Sequence, residues 1–373
     1  MFLDTLDDRW PQSAQALLAR RILPEYLRLG TAPFVANADV KLRVWRAGDQ
    51  VLPVVYREGG GKGRTADVCS PWSHYVRYPL GEIDRHGRGL TAWLGRGVIF
   101  LGMPLLYISR IDEVVSVNNW LLFTNPQVAL DREAVESLTA ALCEQFPRRA
   151  ILFRTVNPEI DPDLARNLTY SGYDLVASRT VYLFDPASRA YRKSSDARRD
   201  RRLLEDGKYQ LVPHERLCAA DMPRLAELHR FLYIEKHTPL NAEFSAQFFE
   251  TAWRNRFLEF RALRAQGRID MYVAFFELDG LLTASLTGYD VHQPRELGLF
   301  RRAFALLMEE SRLRGLPMHL SAGAGAFKHH RGGRPCVEYD AVFDRHLPPH
   351  RRAGWKLLSA AGFLQARKVR AGW

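Results

Sequence analysis

The sequence lacks the features that mark secreted, disulfide-bonded, zinc-binding and membrane-spanning proteins. Its four cysteines lie far apart and form no CxxC pair, which argues against a disulfide scaffold or a zinc site and fits a reducing cytoplasm. The longest apolar run, Gly97 to Ser109, is interrupted by Gly102 and Pro104 and falls short of the roughly 20 residues that cross a bilayer. The N-terminus is acidic, so no secretory signal is expected. We therefore expect a soluble, cytoplasmic protein with no membrane span.

Several catalytic motifs are missing as well. No GxSxG motif occurs, so a covalent serine mechanism has no support. The glycine-rich stretch Gly59 to Gly63 contains Lys62 but lacks the spacing and the following hydroxyl of a Walker loop. His329 and His330 are adjacent and point apart in an extended chain, so they make no metal-ligand pair. The sequence predicts no metal and no tightly bound cofactor.

The chain has an excess of positive charge. It contains 373 residues, with 53 Lys and Arg against 42 Asp and Glu, and carries a net charge of +11. This length suggests two domains, and a hydrophobic content of 47% is enough for two cores. A protein this basic attracts polyanions such as nucleic acid, phosphorylated cofactors or anionic membranes, unless its arginines are simply solvated.

Hydrophobic periodicity predicts an α/β first half. Its elements are a helix at 11–23, a hairpin at 40–56, a helix at 131–145, a strand at 150–156, a helix at 162–172 and a strand at 176–184. Near Asp185-Pro186 the composition shifts to a basic stretch, and we place a domain boundary there, which gives domains at 1–186 and 187–373.

The second half has an informative order of elements. A strand and two helices precede a long hairpin at 269–290, a helix at 299–314, a strand at 318–321, a loop at 323–333 and a strand at 336–343. A helix that follows a hairpin in this way presents unpaired N–H groups and the positive end of its dipole to a donor phosphate.

Two stretches of the second half carry a resemblance to a known superfamily. The run from Arg295 to Phe300 resembles the phosphate-loop pattern of the acetyltransferase (GNAT) superfamily at Arg295 and Gly298, and departs from it at Phe300. The run from Gly325 to Gly333 resembles the Phe-Lys…Gly-Gly signature of Fem-type (FemABX-like) aminoacyl-tRNA-dependent transferases and their CelD-like relatives. The basic segment that ends at Gly207 is similar to the start of the same domain in that group.

The resemblance implies an α/β (α+β) fold of two tandem GNAT-like domains, each with a mixed, largely antiparallel central sheet flanked by helices. It also implies transfer of an acyl group to an amine, from acyl-coenzyme A in classical members and from aminoacyl-tRNA in Fem-type members. A bulky Phe300, where glycine lets backbone approach a pyrophosphate, obstructs the loop, so with the positive charge it favours aminoacyl-tRNA.

By this interpretation the first domain shapes the acceptor site, while the second binds the donor and performs catalysis. The amine of a small molecule or of a cell-wall precursor attacks the donor directly in a ternary complex. The second half has no long helical insertion of the kind some cell-wall members carry, which favours a small molecule.

Amide formation needs a neutral amine, a stabilised oxyanion and a proton for the leaving group. Lys328 is the first candidate for stabilising the carbonyl or the tRNA terminus, mainly on the resemblance. Glu338 and Tyr339 are candidate acids or bases on opposite faces of one strand, and His319 and Ser321 share one face of another. Ordinary packing or solvation is the alternative for each residue.

The candidate donor-binding residues are mostly basic. They are Arg295, Gly298, Phe327, Arg198, Arg199, Arg201 and Arg202. The basic segment would form a phosphate-tracking surface if it shared a face with Arg254, Arg256, Arg261 and Arg264, and would otherwise be a solvated helix.

The candidate acceptor-binding residues follow the turn at Ser70-Pro71-Trp72 and combine aromatic and polar groups. They are Trp72, His74, Tyr75 and Arg77. Three other functions stay open: an acyl-coenzyme A- or carrier-protein-dependent N-acyltransferase, a tRNA- or RNA-binding protein with a degenerate fold, and an unrelated basic α/β protein. A second half without a splayed sheet would reveal the last of these.

Overall fold

The computed structural model describes residues 1–3, 10–58 and 65–370, with the backbone alone for residue 86 and residues 363–370. The glycine-rich stretch Gly59 to Gly63 lies outside the described residues. The strands are β1 (Phe2–Leu3), β2 (Lys41–Ala47), β3 (Gln50–Tyr56), β4 (Val114–Val117), β5 (Ala150–Val156), β6 (Asp174–Phe184), β7 (Gln210–Pro213), β8 (Glu259–Ala265), β9 (Arg268–Leu278), β10 (Leu281–Tyr289), β11 (Met318–Ala322) and β12 (Arg334–Phe343).

The α-helices flank these strands. They are α1 (Ala14–Arg20), α2 (Leu23–Leu29), α3 (Tyr78–His86), α4 (Gly89–Ile108), α5 (Arg132–Gln145), α6 (Pro162–Tyr170), α7 (Arg189–Lys193), α8 (Ser195–Leu204), α9 (Met222–His229), α10 (Ala246–Arg254), α11 (Leu299–Arg314), α12 (Gly325–His330) and α13 (Pro349–Arg370). Two π-helical stretches, Ser73–Arg77 and Arg230–His237, adjoin α3 and α9.

All twelve strands form one mixed sheet in the order β1-β2-β3-β4-β5-β12-β6-β11-β10-β9-β8-β7. Two neighbouring pairs, β4 with β5 and β10 with β11, are parallel, and the others are antiparallel. Each parallel pair is connected through one long helix, α5 in the first half and α11 in the second. The predicted fold class, a mixed and largely antiparallel sheet flanked by helices, is confirmed.

The last strand of each half pairs with strands of the other half. Strand β6, from the first half, pairs with β11 of the second, and β12, from the second half, lies between β5 and β6. The sheet therefore runs without a break through both halves. The boundary near residue 186 falls just after β6, and it stays a prediction.

The largest apolar cluster also contains residues from both halves. The buried segment after β4 contributes Trp120, whose ring stacks on Phe257 with centroids 6.0 Å apart, and Phe123, whose ring stacks on Tyr233 at 5.1 Å. Because these contacts cross between the halves, burial of one half stabilises the other.

Several predicted elements differ from the structure. The turn at Ser70-Pro71-Trp72 leads directly into helix, and the loop 323–333 contains α12. The helix predicted at 11–23 is the shorter α1, and α2 follows it as a separate helix with Pro24 in its first turn, where a proline fits.

The apolar run from Gly97 to Ser109 lies in helix α4, which ends at Ile108. Helix α4 passes through Gly102 and Pro104, so these residues do not shorten the apolar segment as the sequence analysis expected. By length and composition alone, α4 is sufficient to cross a membrane. Nine of the large side chains on α4 are exposed, and Leu106 is its buried residue.

We expect Trp120→Ala to lower the free energy of unfolding by about 3–5 kcal/mol, because it leaves a cavity in a cluster that both halves build. Urea denaturation followed by circular dichroism measures this change. The control Trp93→Ala, at a residue that is 69% exposed, should change it by less than about 0.5 kcal/mol. Two separate unfolding transitions in the wild-type protein would contradict a shared core.

Candidate active site

The sheet opens between β10 and β11. These strands pair only at Leu282–Met318 and Thr283–His319 and then diverge. Just beyond the last pair, a β-bulge in β10 leaves Ser285 without a paired residue on β9. The Ser285 Oγ atom is buried and has no hydrogen-bond partner among the described residues. The splay expected of the acetyltransferase fold is present, so the second half does not show the unsplayed sheet by which an unrelated α/β fold would be recognised.

A buried carboxylate lies beside this opening. Glu338 on β12 is fully buried and accepts a hydrogen bond from Arg179 Nε on β6 at 2.6 Å. Its other oxygen lies 3.4 Å from His319 Nε2 on β11. The Ser321 N–H donates to His319 Nδ1 at 3.0 Å, so a neutral His319 carries its proton on Nε2, towards Glu338. Three strands meet at this cluster.

Two hydroxyl groups extend the cluster towards the first half. Arg179 Nη2 donates to Thr124 Oγ1 at 2.9 Å, and Thr124 Oγ1 lies 3.0 Å from Ser321 Oγ. Ser321 has a φ of 58°, which is uncommon for a residue other than glycine. Such backbone persists where surrounding contacts hold it, and it often marks a functional site.

Arg179 is the cation of this cluster, and no pattern in the sequence points to it. Its side chain is 18% exposed, and Nη1 has no hydrogen-bond partner among the residues that the structure describes. A guanidinium fixed on one side by Glu338 and Thr124 keeps one donor nitrogen for a ligand oxygen. This arrangement suits stabilisation of a developing negative charge.

The charge state of Glu338 is fixed by its partners. Burial alone would raise the pKa of this carboxyl, but Arg179 and His319 outweigh burial and lower the pKa to about 2. Glu338 is therefore an anion at neutral pH, and it positions Arg179 and His319 rather than holding a proton to transfer.

Lys328 lies in α12 and is only 2% exposed. Its Nζ atom donates to three consecutive carbonyl oxygens at the end of β11, those of Leu320 at 2.7 Å, Ser321 at 3.1 Å and Ala322 at 2.7 Å. Burial and nearby Arg179 lower the pKa of Lys328 to about 7, while the three acceptors use all three N–H bonds of an ammonium group. Without a ligand, Lys328 holds the strained end of β11 in place.

Gly332 and Gly333, the two glycines of the Phe-Lys…Gly-Gly signature, stand where a side chain would clash with neighbouring atoms. Gly332 has a φ of +91°, and a Cβ there would lie 2.8 Å from the Tyr191 backbone nitrogen. A Cβ on Gly333 would lie 2.9 Å from the Lys328 carbonyl oxygen. Gly332 therefore lets the chain pass close to Tyr191, and Gly333 lets it pass close to Lys328.

The catalytic candidates Glu338 and Tyr339 lie on opposite faces of β12, as strand alternation predicts. Glu338, His319 and Ser321 come together, and Lys328 contacts the same strand end. Tyr339 lies in the apolar cluster that contains Leu138 and Leu168 of the first-half helices.

The donor candidates Arg295 and Gly298 precede α11. Arg295 is exposed, and Gly298 is the N-cap of α11 with a φ of 62°. Phe300 packs on Phe327 and Phe304, with ring centroids 4.7 Å and 5.0 Å away. Phe300, the residue that departs from the acetyltransferase pattern, is thus part of a cluster of aromatic rings beside the opening.

A buried aspartate fixes the basic helix α8 next to this site. Asp200 accepts hydrogen bonds from Arg301 of α11 at 2.6 Å and from Arg331, just after α12, at 2.5 Å. On the outer face of α8, Arg198, Arg199 and Arg202 are exposed, while Arg201 is half-buried.

The four arginines expected to extend this surface are occupied by carboxylates. The pairs are Arg254 with Glu250, Arg256 with Glu215, Arg261 with Glu310 and Arg264 with Asp221. The extended phosphate-tracking surface that the sequence offered as one alternative is therefore not formed, and the exposed basic residues that adjoin α11 are those of α7 and α8.

Two of the acceptor candidates, His74 and Tyr75, contact β6 and β12 close to Arg179 and Glu338. His74 Nε2 lies 2.8 Å from Ser178 Oγ, next to Arg179 in the chain, and His74 Nδ1 lies 3.6 Å from Asp67. Tyr75 donates its hydroxyl hydrogen to Asp340 at 2.7 Å. Trp72 packs against Tyr107 of α4, and Arg77 is exposed.

The cavity next to the acceptor candidates is small. A cavity of about 10 Å³, lined in part by Asp67, His74 and Asp340, holds no more than a water. Larger cavities, of about 520 Å³ beside α1 and β9 and about 700 Å³ beside α9, contain none of the cluster residues. Among the described residues no group of three His, Cys, Asp or Glu side chains is placed to hold a metal ion.

Glu338→Gln should change how stability depends on pH. Because the folded pKa lies below the ordinary 4.5, the stabilisation is present above pH 4.5 and is lost as the pH falls towards about 2. As the pH is lowered from 6, the free energy of unfolding should decrease by about 3 kcal/mol less in Glu338→Gln than in wild type. The exposed control Glu144→Gln should follow wild type, and equal slopes for all three proteins would contradict the pairing.

Lys328→Met should lower the free energy of unfolding by about 2 kcal/mol, because it removes three hydrogen bonds from an ammonium group at similar volume. Chemical denaturation measures the difference, with the exposed Lys193→Met as the control. Wild-type stability together with an inactive protein would instead indicate that Lys328 acts on a substrate.

Solved structures support the fold. The chain superposes on the C-terminal domain of an Agrobacterium fabrum protein described as a lysylphosphatidylglycerol synthetase with a TM-score of 0.50 at 15% identity, covering 94% of this chain and 91% of that one. It superposes on L-PGS from Bacillus licheniformis with a TM-score of 0.50 at 11% identity, covering 94% and 93%. FemX gives a TM-score of 0.49 at 8% identity, covering 86% and 90%.

No protein-family model matches the chain, and no curated protein matches it in sequence. The similarity to the two structures at a TM-score of 0.50 lies in the fold, because the identities are low. The resemblance seen in the sequence thus agrees with these two structures at the level of the fold.

Proposed function

We propose that this protein is an N-acyltransferase that moves an aminoacyl group from aminoacyl-tRNA to the amine of a small molecule or a cell-wall precursor. The observation that carries the proposal is the opening between β10 and β11 beside Arg179, with one guanidinium nitrogen unpartnered among the described residues. Acyl transfer to an amine needs such a donor, since negative charge develops on the carbonyl oxygen.

The proposed reaction is a direct displacement. The acceptor nitrogen bonds to the acyl carbon, the ester C–O bond to the tRNA ribose breaks, and the ribose oxygen leaves with a proton. Arg179 stabilises the carbonyl oxygen. With its Nδ1 proton towards Asp67, His74 has an acceptor Nε2 at Ser178, so this pair takes the proton that the amine loses and passes it to the ribose oxygen that leaves.

Two features support tRNA as the donor. The exposed arginines of α8 are fixed to α11 and to the end of α12 through Asp200, which places a cationic surface beside the opening. Phe300 and its aromatic neighbours fill the space near the α11 N-terminus, where a coenzyme A pyrophosphate would need close backbone approach. Aminoacyl-tRNA is found in the cytoplasm, the compartment that the cysteine pattern predicts for this protein.

An acyl-coenzyme A donor is the second candidate. Gly298 keeps the left-handed conformation at the start of α11, and Arg295 beside it is exposed. These are the two residues that match the phosphate-loop pattern. A tRNA-binding protein without activity is the non-enzymatic alternative.

Donor discrimination tests the proposal. The protein is incubated with a pool of labelled aminoacyl-tRNAs and, separately, with a panel of acyl-coenzyme A thioesters, and binding and transfer to added amines are recorded. Salt-sensitive retention of charged tRNA together with an amide product supports the proposal. Thioester turnover assigns the second candidate, whereas tRNA binding without product under every acceptor assigns the non-enzymatic role.

The double variant Arg198→Gln/Arg202→Gln should weaken tRNA binding, because each arginine removed leaves one fewer phosphate neutralised. The slope of log affinity against log salt should become shallower by about one for each such phosphate. The control is Arg132→Gln, an exposed arginine on α5 in the first half. A salt slope that matches the control would contradict a role for α8.

Arg179→Lys should lower the rate of transfer by about 10²–10³-fold, because a lysine keeps the charge but lacks the fixed fork of donors. Its partner Glu338 keeps a cationic neighbour, so the fold is retained. Rapid-quench kinetics should show the decrease in kcat more than in KM. A change confined to KM would assign Arg179 to binding alone.

A further inference from the structure

We propose that helix α4 docks this protein on an anionic lipid bilayer, lying in the interface without crossing it. The helix exposes a continuous apolar face, which contains Leu90, Trp93, Leu94, Val98, Phe100, Leu101, Leu105, Tyr107 and Ile108. Leu101 is 84% exposed and Trp93 is 69% exposed. Water-exposed apolar patches of this extent mark interaction sites, because covering them is favourable.

The opposite face of α4 is already packed on the protein. Ile99, Met103 and Leu106 join an apolar cluster with Trp355 of α13. At the C-terminal end, Ser109 accepts hydrogen bonds from Gly354 N at 2.9 Å and, through its carbonyl oxygen, from Arg351 Nε at 2.9 Å. The helix is thus fixed at its base, and the uncovered face is a property of the folded protein.

The charges around α4 fit an anionic surface. The helix contains one charged residue, Arg96, which pairs with Asp84 of α3 at 2.5 Å. From Arg77 to Arg110 the chain carries five arginines and two carboxylates. Arg77 and Arg88 are exposed and have no carboxylate within 4.0 Å among the described residues. A basic rim around an apolar helix is the pattern of interfacial binding to anionic lipid.

The path of the chain shows that α4 lies in the interface. The 20 residues of α4 extend about 30 Å, which matches the hydrocarbon core. The chain before α3 is anchored in the protein, since Ser73 and Val76 are buried. Only the nine residues of α3, about 14 Å long, connect this anchored segment to the start of α4, which is too short to cross the hydrocarbon core. Both ends of the α3–α4 hairpin therefore stay on the protein side. Trp93 and Tyr107 on the exposed face of α4 suit the headgroup region of a single interface, where aromatic side chains are enriched.

Vesicle co-sedimentation tests the proposal with the full chain. We expect binding to phosphatidylcholine vesicles that contain phosphatidylglycerol, and binding about tenfold or more weaker for Leu101→Glu, because the charge opposes insertion of the apolar face. The matched control is Leu313→Glu on α11, since Leu313 is 66% exposed and lies outside this face. Arg77→Gln/Arg88→Gln should weaken binding at low salt and leave the apolar face intact.

Quenching of Trp93 provides a second measurement that needs no folding-sensitive variant. Vesicles with brominated acyl chains should quench a component of the tryptophan fluorescence that is absent in Trp93→Phe. The proposal is overturned if the protein does not bind the vesicles that contain phosphatidylglycerol, or if Leu101→Glu binds them as wild type does. A concentration-dependent dimer that Leu101→Glu abolishes, without vesicle binding, would also overturn it and assign this face to a second copy. None of these outcomes depends on transferase activity.

Discussion

The ion pair between Glu338 and Arg179 is the constraint around which the centre of this protein is organised. A buried carboxylate is costly unless it is paired, and here its partner comes from the other half of the chain. His319 adds a third strand to the same contact. A slip of one residue in any of these strands would turn its side chain to the opposite face and leave the charge unpaired. The pair therefore fixes the register where the two halves exchange strands.

Strained backbone surrounds this pair. Ser321 and Thr155 both have a φ of 58°, and Thr155 is β-branched, which makes that conformation rare. Each such residue costs on the order of 1–3 kcal/mol and persists only where other contacts hold it. Lys328 supplies those contacts at Ser321 by binding three successive carbonyl oxygens, and the Thr155 N–H lies 3.4 Å from Asp340 Oδ1. The opening of the sheet and its stability thus depend on the same few groups.

Several regular elements of the second half could be predicted closely from the sequence, because their patterns are strong, whereas β8, α12 and α13 were not predicted. Helix α11 begins and ends at the predicted residues, since Gly298 and Gly315 flank an uninterrupted helical pattern. Strand alternation pointed to His319 and Glu338 as candidates, and the resemblance pointed to Lys328. Arg179 and Thr124 could not be found in this way, because each belongs to the site only through contacts with residues far along the chain.

Helix α4 shows a different limit of sequence reasoning. Glycine and proline are poor helix formers, and Gly102 and Pro104 therefore suggested an interruption. In the structure, the small Gly102 lies against Leu357 of α13 at a close approach, so packing outweighs local propensity. The exposed apolar face could not be inferred either, because periodicity alone does not say whether an apolar helix will be covered.

The proposed function requires the acyl donor to bind where β10 and β11 diverge. Hydrogen–deuterium exchange with a hydrolysis-resistant aminoacyl-adenosine amide, which mimics the end of a charged tRNA, examines this binding site directly. We expect slower exchange in β10 beyond Thr283 and from Leu320 to Arg331, and no change at β4 and β5, the matching strands of the first half. Protection confined to β4 and β5, or no protection anywhere, would contradict donor binding at this opening.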